Sequence, residues 1–397
     1  MGERTGGSSI PERIGAAFPS GKAESVQIGI PKELRARERR VALAPSGVRA
    51  LVQQGHQVWV EAGAGAGAGF ADADYESAGA TIVFGRLEAI LRSEILACVH
   101  APEPAEYELL LPGQTVIAFW ALPTVRPDEI AILQERGITA IGLEVIEEAD
   151  GSAPVLTAMS EIAGGLAAII GASLLLNEFG GKGILIGGTT GVPQAQLVIL
   201  GAGVLGRAAA RVALGLGAQV TMLDTSIPRL RAVVNELGRP VTTMLSTLPN
   251  LEKALGFADL VLGAVAVHGQ RAPLLVTREM LAGMKPRTVV MDLSIDMGGC
   301  FETSRPTAFP EATYVVDEIT HFCVPNLPSI AARSATVALT NAQLPFLERI
   351  AGDGLDPALA ALPQLRRGLY LLRGRCARAS LAQTHDLDCE PPVEEAG

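Results

Sequence analysis

The chain has 397 residues, of which 48% are apolar and 19% charged, and a formal net charge of -10 at pH 7. This composition can fill sizeable hydrophobic cores, and the length predicts two or three domains. The acidic balance, without a long basic run, argues against nucleic acid or an anionic membrane surface as a partner. Aromatic residues make up only 4% of the chain, which argues against a platform for stacking bases.

The N-terminal end and the longest apolar stretch bear on where the protein resides. Residues 1–25 contain no apolar segment of signal-peptide length and are expected to form a disordered leader. The apolar stretch 162–176, of about 15 residues, is short for a membrane span and predicts a buried core helix. We therefore expect a soluble, cytoplasmic protein.

The cysteine pattern argues against a disulfide framework and fits a reduced cytosolic compartment. The chain has five cysteines, an odd number without a CxxC pair: Cys98, Cys300, Cys323, Cys376 and Cys389. Two of them lie two residues from a histidine, either His100 or His321. Nothing nearby completes a four-ligand set, so no metal site is predicted.

Short apolar runs alternate with helical patterns through the N-terminal part of the chain. Helices are expected over 41–51 and 70–80, the second with Asp72 and Asp74 near its start. Strands are expected over 28–30, 57–61, 81–84, 95–99, 115–120 and 140–143. This alternation is typical of a parallel α/β domain, which we place at residues 26–155.

The stretch 195–224 predicts a βαβ unit that binds a dinucleotide. An apolar run is followed by Gly201-x-Gly203-x-x-Gly206, an Ala- and Leu-rich helix and a second apolar run ending on Asp224. Gly201 allows the tight turn, Gly203 lets the backbone approach a pyrophosphate, and Gly206 lets helix and strand pack closely. The helix N-terminus offers free N–H groups to the phosphates. Asp224 can accept from ribose hydroxyls and would repel a 2′-phosphate, so NAD is expected rather than NADP.

The alternation of strands and helices continues to the C-terminal part of the chain. Further strands are expected over 241–245, 260–265 and 289–293, and a long apolar helix begins near Met159. The helical pattern over 339–351 is expected to pack back on the first domain. The domain prediction is therefore a substrate domain at 26–155 plus 331–385, an NAD-binding domain at 156–330, and a loose tail at 386–397.

Six segments of the chain resemble the alanine dehydrogenase family and, more distantly, the nucleotide-binding alpha subunit of pyridine nucleotide transhydrogenases. In order, these segments are IGIPKELRARERRVALAPSGV, GHQVWVEAGAGAGAGF, MSEIAG, VILGAGVLGRAAARVALGLGAQVTMLD, TREMLAGMKPRTVVMDLSIDMGGCFETSRPT and HFCVPNLP. The resemblance covers about residues 28–351. It implies an α/β fold of two Rossmann-like, doubly wound parallel-sheet domains, with the substrate domain discontinuous. It also implies reversible oxidative deamination of L-alanine to pyruvate and ammonia with NAD.

The resemblance also implies site residues and an assembly. Arg40 matches the family's arginine for the substrate carboxylate, and Asp296 matches its catalytic aspartate beside the nicotinamide. Positions matching those that contact the cofactor are Ser160, Gly201, Gly203, Gly206, Asp224, Arg229, Ser246, Ile295 and Asn326. The partners implied are a small amino acid or 2-oxo acid and further copies of the chain, as a homo-oligomer of hexamer type.

Two positions depart from the alanine dehydrogenase pattern. His100 stands where the family has a catalytic lysine, and Ala121 stands where it has an acid/base histidine. Alanine has no titratable group, whereas His100 can carry a proton near neutral pH. The segments around both positions look more like the transhydrogenase version of these loops.

Three interpretations remain open from the sequence. The first is an NAD-dependent amino-acid dehydrogenase in which Asp296 and His100 are catalytic and Arg40 binds the substrate. The second is a transhydrogenase-like module that transfers hydride with a partner. The third is an NAD-binding homologue without catalysis, because a fold does not by itself imply a function.

Overall fold

Two open sheets with flanking helices organise residues 25–265 and 271–389, the part of the chain that this computed structural model describes. The predicted leader lies outside the described residues apart from Ser25, and so does the tail beyond Cys389.

The first sheet is built mainly from the N-terminal part of the chain. Its helix α1 begins at Pro45 rather than at the predicted Val41, because Ala44 is extended (φ -70°, ψ 160°) and proline favours the first helical turn. The elements are β1 (Gln27–Ile30), α1 (Pro45–Gln53), β2 (Gln57–Glu61), α2 (Asp72–Ser77), β3 (Thr81–Val83), α3 (Arg86–Leu91), β4 (Ile95–His100), β5 (Thr115–Phe119), α4 (Pro127–Glu135) and β6 (Thr139–Gly142).

The second sheet follows a long helix that starts five residues before its predicted position. The elements are α5 (Pro154–Leu174), β7 (Gln196–Leu200), α6 (Val204–Gly215), β8 (Gln219–Asp224), α7 (Ile227–Leu237), β9 (Thr242–Leu245), α8 (Leu248–Phe257), β10 (Leu260–Gly263), α9 (Arg278–Leu281), β11 (Val289–Asp292), β12 (Thr313–Val316) and β13 (Ile319–Phe322). The chain then returns to the first sheet through α10 (Ala332–Asp353), α11 (Leu355–Ala361), α12 (Pro363–Arg367), β14 (Leu369–Leu372), β15 (Arg375–Cys376) and α13 (Ala379–His385).

The strand orders of the two sheets confirm the predicted fold class. The first runs β3-β2-β1-β4-β5-β6-β14-β15 and the second β9-β8-β7-β10-β11-β13-β12. Each therefore begins with the 3-2-1-4-5 order of a Rossmann sheet, and the next place is taken by β6 in the first sheet and by β13 in the second. In such sheets ligands bind where the strand order reverses. All strand pairs are parallel except those at one edge of each sheet, which involve β12, β14 and β15.

The antiparallel edges were not predicted from the sequence. The β12–β13 hairpin turns on Asp317 and Glu318, both with positive φ (49° and 62°), a backbone conformation usually signalled by glycine or asparagine. Of the predicted loose tail, the structure describes residues 386–389. Leu387 and Cys389 are partly buried against the core of the first sheet, whereas Asp386 and Asp388 are exposed.

Helices α5 and α10 cover the sheets between the two halves of the molecule. Among the helices of the described residues, α5 alone is long and apolar enough, by length and composition, to cross a membrane. It packs instead against α6 and α10, with small residues such as Gly164 and Ala167 buried. A helix therefore stands at the predicted position, and eight of its 21 residues are buried. Helix α10 contributes Leu339, Leu347 and other side chains to the core of the first sheet.

Candidate active site

The loop between β7 and α6 has the shape that a dinucleotide pyrophosphate requires. Gly201 has φ 110°, and a Cβ there would lie 2.3 Å from the carbonyl oxygen of Ala264. A Cβ on Gly206 would lie 2.1 Å from the carbonyl oxygen of Gly201. At Gly203, by contrast, no described atom lies within 4 Å of such a Cβ, and no side chain caps the first turn of α6. The open space therefore lies in front of the helix N–H groups, where phosphates bind.

Asp224 ends β8 beside this loop and is buried. Its Oδ2 accepts from the Ala202 backbone N–H and its Oδ1 from that of Ser226, each at 2.8 Å. These bonds aim the carboxylate at the glycine loop. Each oxygen keeps a second lone pair, so the carboxylate can still accept from a ribose hydroxyl.

The remaining predicted cofactor positions surround the same edge of the sheet. The Ser246 backbone N–H donates to the Asp224 carbonyl at 2.9 Å, and Arg229 is exposed on the first turn of α7. Ser160 is half-buried on α5, and Ile295 is buried in the turn after β11. Arg229 is therefore the most exposed of these three side chains.

The turn after β11 joins the glycine loop to Asp296. Ser294 Oγ donates to the Val265 carbonyl at 2.7 Å and accepts from the Val265 N–H at 3.1 Å, next to Ala264, which touches Gly201. Asp296 Oδ2 accepts from the Asn326 backbone N–H at 3.3 Å. The Asp296 side chain stays open to the cleft, but surrounding protein atoms limit its hydration, and this burial raises the pKa of the carboxyl.

Arg40 is buried, with 4% of its surface exposed, and its guanidinium faces Glu38 rather than open space. Nε donates to Glu38 Oε1 at 2.9 Å, and Nη2 donates to Glu38 Oε2 at 2.7 Å. Nη2 also donates to Asn326 Oδ1 at 2.8 Å, and Nη1 approaches the sulfur of Met159 at 3.3 Å. Nε and Nη2 of Arg40, which were expected to donate to a substrate carboxylate, thus donate to the carboxylate of Glu38.

Glu38 was not predicted as a site residue, yet its carboxylate is hydrogen-bonded to Arg40, His100 and Asn326. We call these four residues the cluster around Glu38. Oε2 accepts from Arg40, from His100 Nε2 at 2.8 Å and from Asn326 Nδ2 at 2.7 Å, and the side chain has no exposed surface. Burial acts to raise the pKa of Glu38, but the hydrogen bonds from Arg40 and His100 outweigh it and hold the pKa far below its usual range. Glu38 is therefore an anion that connects the two domains through Asn326.

His100 ends β4, and both of its ring nitrogens are occupied. Arg35 Nη1 lies 3.1 Å from Nδ1, and since a guanidinium only donates, Nδ1 must accept. The neutral ring then carries its proton on Nε2 and donates it to Glu38. Burial lowers the pKa of His100, and Glu38 opposes that effect. The result is a carboxylate–imidazole pair whose Nδ1 points toward the exposed Arg35.

Glu33 is a second carboxylate that the sequence analysis did not identify. Oε1 accepts from the Val99 N–H at 2.6 Å, and Oε2 from the His100 N–H at 3.2 Å. Burial raises the pKa of Glu33 to about 7, although both backbone hydrogen bonds lower it. Glu33 therefore fixes the end of β4, where the strand register shifts before His100.

Glu33, Arg35 and Glu38 all belong to the charged run 32–40, which looks like a solvated loop in the sequence. One signal was available, because Glu33 and Glu38 lie within the first segment that carries the family resemblance. The run follows β1 and lies beside the end of β4, where Glu33, Arg35 and Glu38 each contact His100.

Position 121 supplies no proton carrier. Ala121 lies at the tip of β5 with φ 48°, and its N–H donates to Glu144 Oε1 at 2.7 Å. Trp120 N–H and Tyr370 OH donate to the same carboxylate at 3.2 and 3.0 Å. Glu144 thus fixes the backbone of the loop after β5 at Trp120 and Ala121. Among the described residues, no group of three or more His, Cys, Asp or Glu side chains is placed to hold a metal ion.

The two sheets and the glycine loop define a protein with a dinucleotide-binding Rossmann-like fold, and the cluster around Glu38 lies where its two sheets meet. Comparison with known proteins identifies the family. Residues 29–163 match the family described as alanine dehydrogenase/PNT, N-terminal domain, and residues 167–379 match alanine dehydrogenase/PNT, C-terminal domain. The chain belongs to this family.

Individual relatives agree with the family match. An alanine dehydrogenase of Mycolicibacterium smegmatis is 42% identical over 360 residues, 91% of this chain and 97% of the relative. One from Halomonas elongata is 44% identical over 91% of this chain and 98% of its own length. A solved L-alanine dehydrogenase has a TM-score of 0.86 at 41% identity, covering 91% of this chain and 99% of that one. A transhydrogenase from Sinorhizobium meliloti has a TM-score of 0.76 at 27% identity, covering 89% and 99%.

Proposed function

We propose that this chain is an NAD-dependent oxidoreductase that interconverts a small L-amino acid and its 2-oxo acid, with L-alanine and pyruvate as the first candidates. In the forward direction L-alanine, NAD and water yield pyruvate, ammonium, NADH and a proton. The observation that carries the proposal is the cluster of Arg40, Glu38, His100 and Asn326, tied to Asp296 at the edge that also holds the glycine loop.

NAD supplies the hydride acceptor when bound. The residues suited to hold it are those around the space in front of Gly203, with Asp224 accepting from a ribose and Ser246 beside it. A side chain on Gly203 would fill this space. Asp224 favours NAD over NADP because its carboxylate would repel a 2′-phosphate.

The acid/base work falls to His100 and Asp296. Glu38 holds the Nε2–H of His100, which orients the ring and stabilises the imidazolium that forms when Nδ1 takes a proton. Paired with Glu38, His100 can carry the proton that a histidine at the position of Ala121 carries in the family. Asp296 has a raised pKa and faces the cleft, so it can orient the amine or the attacking water beside the nicotinamide.

A second candidate is an NAD-binding protein without catalysis. Two observations favour it: Ala121 carries no proton at the acid/base position, and the fork of Arg40 is filled by Glu38. A hydride-transferring module of the transhydrogenase kind is a further alternative, distinguished by exchange with an NADP-bound partner.

The test is NADH oxidation with pyruvate and ammonium, followed by a panel of small 2-oxo acids. Turnover that falls by about 10²–10⁴-fold in His100→Ala and Asp296→Asn supports the proposal. Asp128→Asn, an exposed residue on α4, is the matched control and is expected to leave turnover unchanged. NADH binding by calorimetry without turnover on any 2-oxo acid would establish the second candidate instead.

We also propose a cytoplasmic homo-oligomer, by analogy with the family. Light scattering coupled to size exclusion measures the assembly directly. A monomer mass of 41.3 kDa at working concentration would contradict this part of the proposal.

A further inference from the structure

The donors of Arg40 are almost fully used inside the protein. Nε and Nη2 donate to Glu38, Nη2 donates also to Asn326, and Nη1 contacts the Met159 sulfur. Counting only the described residues, one N–H of Nη1 remains. A substrate carboxylate could take the whole fork only by displacing Glu38, which would leave a buried anion unpaired at high cost.

The charges at the cleft do not favour an incoming anion unless a second cation takes part. Arg40 and Glu38 neutralise each other, His100 is neutral in this arrangement, and Asp296 contributes a carboxyl beside Asn326. Binding of a carboxylate therefore needs a positive group near His100 that is not already paired inside the cluster.

Arg35 is the cation that meets this requirement. Its side chain is 49% exposed, and its Nη1 lies 3.1 Å from His100 Nδ1. Its ion pair with Glu103, at 3.6 Å, is exposed on both sides and is therefore weak and easily exchanged. Nη2 and the second N–H of Nη1 have no partner among the described contacts of Arg35, so a carboxylate can be held by two parallel hydrogen bonds.

We propose that Arg35 binds the carboxylate of the small amino-acid or 2-oxo-acid substrate, and that it leaves His100 Nδ1 as it does so. The inference rests on the proposed function and names the residue that selects this substrate class. When Arg35 turns from the imidazole to the substrate, the Nδ1 lone pair becomes free to take a proton from the ammonium group of the amino acid. In the reductive direction the imidazolium returns a proton to the nitrogen. The same movement of Arg35 thereby binds the substrate and frees His100 to act as a base.

The experiment measures binding as well as turnover. Oxamate, an unreactive analogue of pyruvate, is titrated by calorimetry into wild type, Arg35→Ala, Arg35→Lys and Arg39→Ala, each saturated with NADH. Arg39 is the matched control because it is an exposed arginine of the same loop. Arg35→Ala is expected to bind oxamate about tenfold more weakly or worse, because it loses a charge-assisted pair of hydrogen bonds.

The variants differ further in ways that a misfolded loop would not reproduce. Arg35→Lys is expected to keep part of the affinity, since a lysine retains the charge but not the planar fork. NADH affinity is expected to be equal in all four proteins, and the KM for pyruvate is expected to rise in Arg35→Ala while that for ammonium stays the same.

Oxamate binding equal in Arg35→Ala and wild type would overturn the inference, and so would equal weakening in Arg39→Ala or no oxamate binding by wild type. Oxamate binding that depends on Arg35 in a protein without turnover on any 2-oxo acid would leave the inference standing and remove the proposed function.

Discussion

His100 Nε2 lies 2.8 Å from Oε2 of Glu38, and the same oxygen accepts from an asparagine of the other domain. Glu38 therefore joins the proposed base, His100, to the second domain. With Nη2 of Arg40, these contacts give Oε2 of the buried carboxylate three side-chain donors, and such hydrogen bonding is the condition under which an anion is stable inside a protein.

Replacing Glu38 by glutamine should damage both stability and turnover. Removing one partner of a buried ion pair leaves Arg40 uncompensated and costs about 3–5 kcal/mol of unfolding free energy. Turnover should fall about a hundredfold, because the amide has no charge to stabilise the imidazolium of His100 and keeps one acceptor oxygen where the carboxylate has two. Denaturant unfolding and steady-state kinetics measure the two effects. Glu88→Gln, at an exposed helical pair with Arg92, is the control and should change stability by less than about 0.5 kcal/mol.

The same variant has a defined pH signature. The folded-state pKa of Glu38 is depressed, so its contribution to stability is fully present above the unfolded value near ~4.3 and is lost as pH falls toward the folded pKa. Wild type should therefore lose stability more steeply than Glu38→Gln on acidification below about pH 4.3. If the unfolding free energies of the two proteins changed equally with pH, Glu38 would not contribute to stability as an ionised partner of Arg40.

Glu33 should give the opposite pH dependence. Its folded-state pKa is raised to about 7, so its contribution is complete below the unfolded pKa and declines as pH rises through the folded one. The unfolding free energy of wild type should thus fall by up to about 3 kcal/mol more than that of Glu33→Gln between about pH 4.5 and 7. Chemical denaturation at a series of pH values measures it. A variant with the same slope as wild type would show that Glu33 is ionised throughout.

Two glycines of the same loop should respond in opposite ways to alanine. Gly206→Ala places a Cβ 2.1 Å from the Gly201 carbonyl oxygen and should cost about 1–3 kcal/mol of stability. Gly203→Ala meets no described atom and should change stability by less than about 0.5 kcal/mol. It should nevertheless weaken NADH binding by about tenfold or more, because the methyl group enters the pyrophosphate space. Thermal unfolding and calorimetry separate the two; unchanged NADH affinity in Gly203→Ala would place the pyrophosphate elsewhere.

Restoring a histidine at position 121 should raise turnover. The backbone there has φ 48°, a region in which histidine and asparagine are among the better tolerated residues. Ala121→His should increase kcat for reductive amination by about tenfold or more, because it adds a proton carrier at the tip of β5. Ala121→Asn fits the same backbone without titrating and is the control. Equal rates in the two variants would mean that the histidine takes no part in proton transfer.

Much of the architecture can be predicted because it is encoded in neighbouring residues. The apolar runs of β1, β4 and β7 mark buried parallel strands, and the glycine spacing with Asp224 marks the dinucleotide loop. The hairpin of β12 and β13 escaped prediction because its turn residues, Asp317 and Glu318, lack the usual signal.

The sequence alone therefore determined the parallel strands, the phosphate loop and the place of His100 at a strand end, since each depends on local patterns, and the family resemblance implied the two Rossmann sheets. Only the tertiary structure decided what the charged run 32–40 does. Glu38 meets His100 and Asn326, 62 and 288 residues away along the chain. No local pattern encodes such distant contacts, because they form where the two sheets meet around one buried carboxylate.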